Sequence, residues 1–253
     1  MIAELHDRAV VVTGASSGIG RAIAIAAARA GADVALTYRV NEQGAREVER
    51  AIASLGRRAA VFRCDLADDA SLRAIGPDAR RALGRLDVWI NNAGADILTG
   101  AAASLSTIEK LDLLLRIDLR GTMLASWHAA EILDAQEQGG VIINMSWDHA
   151  LAGMAGLNPQ LFAAAKGGVL AFSKALARSV APRVRVNVLA PGWIDTSFAA
   201  TLTDRARHDV ADSTPLKRWG VPDDVAGAAV FLASPAASFL TGQTILVGGG
   251  VVM

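Results

Sequence analysis

Thr13-Gly14-Ala15-Ser16-Ser17-Gly18-Ile19-Gly20 lies between an apolar run, Ala9–Thr13, and a segment of helical character, Gly18–Ala30. Glycines at this spacing permit a tight turn, close backbone approach to a pyrophosphate and close packing of helix on strand. The N-terminus of the following helix offers unpaired N–H groups and a positive dipole end to phosphates. Three glycines alone carry little weight; a strand before them and a helix after them supply the context in which they cradle a dinucleotide.

Working outward, short apolar runs alternate with longer amphipathic ones. Strands are predicted at Ala9–Thr13, Asp33–Tyr38, Ala59–Arg63, Leu86–Ile90, Val141–Met145, Arg183–Leu189 and Thr244–Val247. Helices are predicted at Gly18–Ala30, Glu42–Leu55, Ala70–Leu83, Ser104–Ala135, Gln160–Val180 and Pro222–Leu232. Runs rich in Val, Ile and Leu suit strands covered on both faces, so the pattern predicts a doubly wound α/β fold with a parallel sheet. No linker or repeat divides the chain, and residues 1–253 are read as a single dinucleotide-binding domain.

The 253 residues are 52% hydrophobic, enough for one sizeable core, and 25 basic residues balance 25 acidic ones. That neutrality gives no footprint for nucleic acid or for an anionic membrane. The single cysteine, Cys64, excludes an internal disulfide and a cysteine-rich metal site. The charged start, Met1 to Arg8, does not read as a secretory signal, and apolar stretches end well short of the about 18 residues a membrane span needs. A cytoplasmic protein acting on a small molecule is expected.

The second strand ends Thr37-Tyr38-Arg39, with no acidic residue to grip a ribose 2′-hydroxyl. Arg39, with Ser16 in the glycine loop, suits a 2′-phosphate, so NADP is expected rather than NAD. Glu42 lies near enough in sequence to compete with that reading.

With Thr13-Gly14-x-x-x-Gly18-Ile19-Gly20, Asn91-Asn92-Ala93-Gly94, Arg185-Val186-Asn187 and Pro191-Gly192 in order, the chain resembles the short-chain dehydrogenase/reductase family. The resemblance runs from about Arg8 to the C-terminus, and Pro215-Leu216-x-Arg218-Trp219-Gly220 with Thr241-Gly242-Gln243 looks most like its 3-oxoacyl carrier-protein reductase branch. It implies a Rossmann-type sheet of seven strands, NAD(P)-dependent oxidoreduction of a small carbonyl or alcohol, and a homo-oligomer, tetramer or dimer. It also implies that Gly14, Ser16, Ser17, Gly18, Ile19 and Gly20 hold the pyrophosphate and that Asp65 and Leu66 flank the adenine. Asn91 through Asn92, Ala93 and Gly94 would line the cleft. Pro191, Gly192, Ile194 and Thr196 would edge the nicotinamide, with Lys166 on its ribose.

The family's chemistry uses an Asn-Ser-Tyr-Lys set, and only Lys166 of that set is kept. Phe162 stands where the tyrosine is expected, four residues before Lys166, and the only tyrosine is Tyr38. Asp118 stands in the asparagine position. Trp147 stands in the serine position, one residue past Ser146, and the family's shorter spacing, counted back from Phe162, lands on His149. Ser146, Asp148 and His149 are therefore all candidates to replace the phenol. Histidine titrates near neutrality without special tuning, and Asp148 beside it could orient the imidazole or act itself. Asp118 could pair with Lys166 or with Arg120, accept a proton from substrate, or simply face solvent. His128 reads as a packing or oligomer contact. Loss of a positioned general acid costs about 10²–10⁴-fold in rate.

Asp195–Arg218 reads as a short helical lid, with Trp193, Phe198, Leu202, Leu151 and Met154 implying an apolar pocket. Gly248-Gly249-Gly250 reads as an exposed turn where the family often begins with Asp. Three functions remain open: an oxidoreductase with a substituted acid, a non-redox isomerase, dehydratase or cyclase on this scaffold, and a catalytically silent NADP-binding protein.

Overall fold

Strand β1 (Ala9–Val12) is wholly buried, and its neighbours form around it a seven-stranded parallel sheet ordered β3-β2-β1-β4-β5-β6-β7. The computed structural model describes residues 4–253; Met1 to Ala3, where the chain's start was read as no secretory signal, lie outside the described residues. The other strands are β2 (Asp33–Tyr38), β3 (Ala59–Arg63), β4 (Val88–Asn91), β5 (Gly140–Met145), β6 (Val184–Pro191) and β7 (Thr244–Val247). All seven predicted strands are present; β2, β3 and β7 match end to end and the other four are shifted by one or two residues at their ends. Among the described residues no helix is long and apolar enough to cross a membrane.

Alternate residues of β1 feed two cores. Val10 and Val12 pack with Val34, Leu36, Ile90 and Ile143 beneath helices α1 (Gly18–Arg29), α2 (Glu42–Ser54) and α9 (Pro222–Ala233). Ala9 and Val11 face the other way, with Trp89, Ile142 and Val186, beneath α3 (Asp69–Leu83), α5 (Thr122–Asp134) and α7 (Leu157–Val180). Burial on both faces explains why these strands read as continuous apolar runs rather than alternating ones. The order reverses between β1 and β4, which opens a crevice at the carboxyl ends of the strands, where ligands bind in sheets of this kind.

The predicted unbroken helix Ser104–Ala135 is instead four pieces: a 3₁₀ segment (Gly100–Ser104), α4 (Thr107–Leu114), a π-helical turn (Leu115–Gly121) and α5. Apolar periodicity does not register one extra residue per turn, which is all a π turn adds. Gly121 closes that turn against the chain following β3: a Cβ there would lie 2.9 Å from Leu66 Cβ. The loop after β5 also carries an unpredicted turn of helix, α6 (His149–Ala152), capped by the Asp148 carboxylate, which accepts from His149 N. Within Asp195–Arg218 lie a 3₁₀ turn (Ala199–Thr201) and α8 (Asp204–Ser213). Gly248-Gly249-Gly250 is not the exposed turn expected; it is half-buried against Asp148, Thr214 and Pro215.

Asp33, at the start of β2, fixes where β3 begins. Its carboxylate accepts from Arg58 N at 2.9 Å and Arg58 Nε at 2.7 Å, and pairs with Arg57 at 2.9 Å. Burial pushes the Asp33 carboxyl up, but the Arg58 hydrogen bonds and the two guanidinium charges outweigh it and leave it below the ordinary carboxylate value. A lowered carboxyl contributes stability that is complete above the unfolded-state value and is lost as pH falls through the folded one. Asp33→Asn should therefore be less stable than the parent at neutral pH, and the gap should close as urea unfolding is repeated from pH 5 downward.

Candidate active site

The glycine loop is held from two sides. Gly14 N donates to Thr37 Oγ1 at 3.2 Å and Ala15 N to Thr37 O at 2.9 Å, which ties it to the end of β2. Asn92 Nδ2 donates to the carbonyls of Thr13 and Gly14 at 3.0 and 3.1 Å, which ties it to the chain leaving β4. Thr13 Oγ1 accepts from the backbone of Asn92 and Ala93, both at 3.0 Å. Gly14 has φ +64°, and a Cβ on it would lie 2.8 Å from Ala93 Cα; one on Gly20 would lie 2.4 Å from Gly14 O. These two glycines let three backbone segments converge where a pyrophosphate would rest. Ser17 makes no side-chain capping bond, so the first N–H groups of α1 remain for an anion.

From this loop a groove of about 570 Å³ runs past Arg39, Asp65 and Leu66, under Asn92 to Gly94, to Asp118, Phe162 and Lys166. The residues present fit a dinucleotide. Asn91 does not line the groove as the resemblance implied. It turns under the sheet into a buried network, accepting from Trp89 Nε1 at 2.7 Å and donating to Ser126 and Asn144, whose own amide reaches Ser173. Arg39 lies on the groove rim and makes no ion pair among the described residues, whereas Glu42 is drawn off by Arg46 at 3.3 Å.

Lys166 and Phe162 share one face of α7, as a four-residue separation requires. Lys166 Nζ lies 2.9 Å from Asp118 Oδ2 and donates to Met145 O at 3.4 Å. Asp118 is 1% exposed, and its second oxygen accepts from Ala95 N at 2.7 Å. The solvent-facing aspartate is thus excluded, and Arg120 is engaged elsewhere, in a two-bond contact with Asp69 at 2.8 and 2.9 Å. Ser146 Oγ donates to the Lys166 carbonyl at 2.9 Å.

A second cavity, of about 530 Å³, meets the groove at Asn92, Phe162, Lys166 and Thr196. Its walls include Met145, Ser146, Trp147, Met154, Trp193 and Phe198; Pro191, Gly192 and Ile194 also border it rather than the nucleotide groove. Leu151 and Leu202, expected here, are not among its lining residues. Neither are Asp148 and His149. The Asp148 carboxylate is fully buried, with Oδ1 2.7 Å from His149 Nδ1. Its Oδ2 has no hydrogen-bond partner among the described residues and faces Gly192 and Gly248, where a Cβ would come within 2.5 and 2.3 Å. His149 is stacked on Trp147 (centroids 5.0 Å, 24°) and meets Trp193 edge-on at 6.1 Å. Trp219, which sequence reasoning missed, backs Trp193 at 5.6 Å. Tryptophans just past the ends of β5 and β6 were the available signal.

Comparison with known proteins agrees with this geometry. A family model described as enoyl-(acyl carrier protein) reductase matches residues 14–252. The chain is a short-chain dehydrogenase/reductase. The description names an enoyl rather than a 3-oxoacyl reductase, so the resemblance holds at the level of the family. Among its relatives, 3beta-hydroxysteroid dehydrogenase 1 of Eggerthella lenta is 34% identical over all of this chain and 97% of its own length. Cis-4-hydroxycyclohexanecarboxylate dehydrogenase of Sinomonas cyclohexanicum is 37% identical over 96% of each chain. A 7 alpha-hydroxysteroid dehydrogenase solved with NADH and 7-oxo glycochenodeoxycholic acid superposes with TM-score 0.89 at 30% identity, covering 99% of this chain and 96% of that one. A blue fluorescent protein from a metagenomic library, solved with NADPH, gives TM-score 0.87 at 32% identity, covering 99% and 100%. Relatives of this family are NAD(P)-dependent oxidoreductases, and solved neighbours hold nicotinamide cofactors of both kinds.

Removing one partner of a buried ion pair leaves an uncompensated charge, at a cost of about 3–5 kcal/mol. Lys166→Met should lose about that much stability in urea unfolding, and Lys166→Met/Asp118→Asn should recover most of it. Additive losses would show that the two groups do not interact.

Proposed function

We propose that this protein is an NADP-dependent oxidoreductase of small carbonyl or alcohol substrates in which Lys166, compensated by Asp118, takes over proton handling from the absent phenol. The observation that carries this reading is the continuity of the two cavities at Lys166: one ammonium borders both the nucleotide groove and the apolar cavity. A nicotinamide dinucleotide, when bound, supplies or accepts the hydride.

The chain's own residues do the remainder. Ser16, Ser17 and the first turn of α1 bind the pyrophosphate, and Arg39 takes the 2′-phosphate. Two of the Lys166 ammonium hydrogens go to Asp118 and Met145 O, which leaves the third for the cleft. As a carbonyl is reduced, Lys166 Nζ gives this proton to the substrate oxygen; Asp118 keeps the amine in place until solvent reprotonates it. Ser146, whose hydrogen is committed to the Lys166 carbonyl, keeps lone pairs free to accept from an alcohol substrate. His149 and Asp148 act by position: they brace Trp147 and do not border either cavity. The segment from Asp195 to Arg218, tied down by the Arg207–Asp195 pair at 2.9 Å, covers the substrate end.

A hydrogen bond to a charged group contributes about 1.5–3 kcal/mol. Calorimetric titration should therefore find NADPH bound more tightly than NADH, with Arg39→Ala weakening NADPH by about tenfold or more and NADH little. Equal affinities would remove the NADP assignment, and no binding of either would remove the function.

The Asp118 carboxylate opposes formation of a phenolate beside Lys166. Phe162→Tyr alone should therefore raise ketone-dependent NADPH oxidation only slightly, whereas Phe162→Tyr/Asp118→Asn should raise it by about 10²–10⁴-fold. Turnover that appears only in the double variant would favour a silent or non-redox parent over an oxidoreductase.

A further inference from the structure

The cavity beside Lys166 has an unusual wall, and from it we infer that the substrate is a flat, ring-bearing, uncharged ketone or secondary alcohol rather than a linear acyl chain or a carboxylate. The inference rests on the oxidoreductase reading for the reacting group and on the wall alone for the rest of the ligand.

Trp147, Phe162, Trp193 and Phe198 all border the cavity. The two tryptophan planes are fixed by contacts with neighbours on the wall and with His149 and Trp219 behind it. Trp147 is stacked on His149 and meets Phe162 edge-on at 6.2 Å. His149 cannot swing away, because Asp148 holds its Nδ1 at 2.7 Å. Trp193 is braced by His149, by Trp219 at 5.6 Å and by Phe198 in a stacked contact at 6.3 Å. Trp219 Nε1 is itself anchored on Arg207 O at 2.9 Å. Pre-set aromatic faces favour a rigid ligand with faces of its own, which gains stacking area without losing internal rotation. A flexible chain would have to be ordered on the same surface and would gain less from it.

The charge of the cavity points the same way. Its lining holds two ionic groups, Asp96 and Lys166. Asp118 compensates Lys166. The Asp96 carboxylate accepts from the backbone of Leu98 and Thr99 at 2.8 and 2.9 Å and from the Thr99 hydroxyl. Burial raises the Asp96 carboxyl, but these bonds outweigh it and hold it below its ordinary value, so it remains ionised. An anionic substrate therefore meets a fixed negative charge and no free cation. The volume, about 530 Å³, lies within the range of about 300–1,000 Å³ that small-molecule ligands occupy.

The test is direct binding, followed by calorimetry or saturation-transfer NMR on the full chain with and without NADPH. The probes are decalone, decanone of equal carbon count, and oxocyclohexanecarboxylate beside its methyl ester. Decalone should bind about tenfold more tightly than decanone, and Trp147→Ala or Trp193→Ala should remove about that factor while changing decanone little. If circular dichroism finds either alanine variant unfolded, Trp147→Leu and Trp193→Leu keep the apolar bulk, lose the flat face and carry the same expectation. The ester should bind about tenfold more tightly than the acid, because like charges brought together are costly. Decanone binding as tightly as decalone, acid as tightly as ester, or no saturable ketone binding would each overturn the inference. Ketone-dependent NADPH oxidation is read separately: decalone bound without turnover would sink the oxidoreductase reading and leave the ring preference standing.

Discussion

The cleft is organised around the ion pair between Lys166 and Asp118. Taking two charges out of water costs several kcal/mol per ion, which mutual attraction offsets only when the remaining hydrogen-bonding capacity is also used. Here it is used structurally: Asp118 also accepts from Ala95, just past β4, and Lys166 also donates to Met145, the last residue of β5. Four elements that are far apart in sequence are thereby joined at one point, at the carboxyl ends of β4 and β5, next to the switch in strand order between β1 and β4. Asp118 lies buried within the π turn Leu115–Gly121, from which it reaches Lys166 and Ala95.

A second buried carboxylate, Asp148, organises the wall beside it. Asp148 is capping residue, imidazole anchor and steric constraint at once. Its Oδ2 fills the space that a side chain at Gly192 or Gly248 would need. Glycine at 248 leaves that oxygen its space, which also explains why Gly248-Gly249-Gly250 is packed rather than exposed.

The fold was legible because its signals are local and redundant. The glycine loop and the β-branched runs each have one physical reading, and burial of both sheet faces reinforces it. The nucleotide groove was legible for the same reason, apart from Asn91, since two adjacent asparagines on a strand end necessarily point opposite ways and sequence does not say which enters the groove. The reacting end was less legible. Asp118 had several partners within reach on paper, and the choice of Lys166 depends on a π turn that periodicity cannot register. The Asp148–His149 pair was visible as a pair, but its direction was set by Trp147, Trp193 and Trp219, which are brought together from three loops. Aromatic residues following successive strands carry that information only once the strand order is known.

Asp118, Lys166, Phe162 and Trp147 also explain one another. A phenol beside a lysine is a good acid because the ammonium stabilises phenolate. With Asp118 seated on Lys166 at 2.9 Å, that stabilisation is largely spent on the carboxylate, and a hydroxyl at position 162 would gain little acidity. Phe162 in turn meets the edge of Trp147, where a bare ring packs without a polar group to satisfy. Asp118 on Lys166 and Phe162 against Trp147 are thus mutually supporting. The first supplies a compensated charge and the second an apolar wall. At the junction of the two cavities stand one compensated ammonium, Lys166, and the Asp96 carboxylate, which is committed to Leu98 and Thr99.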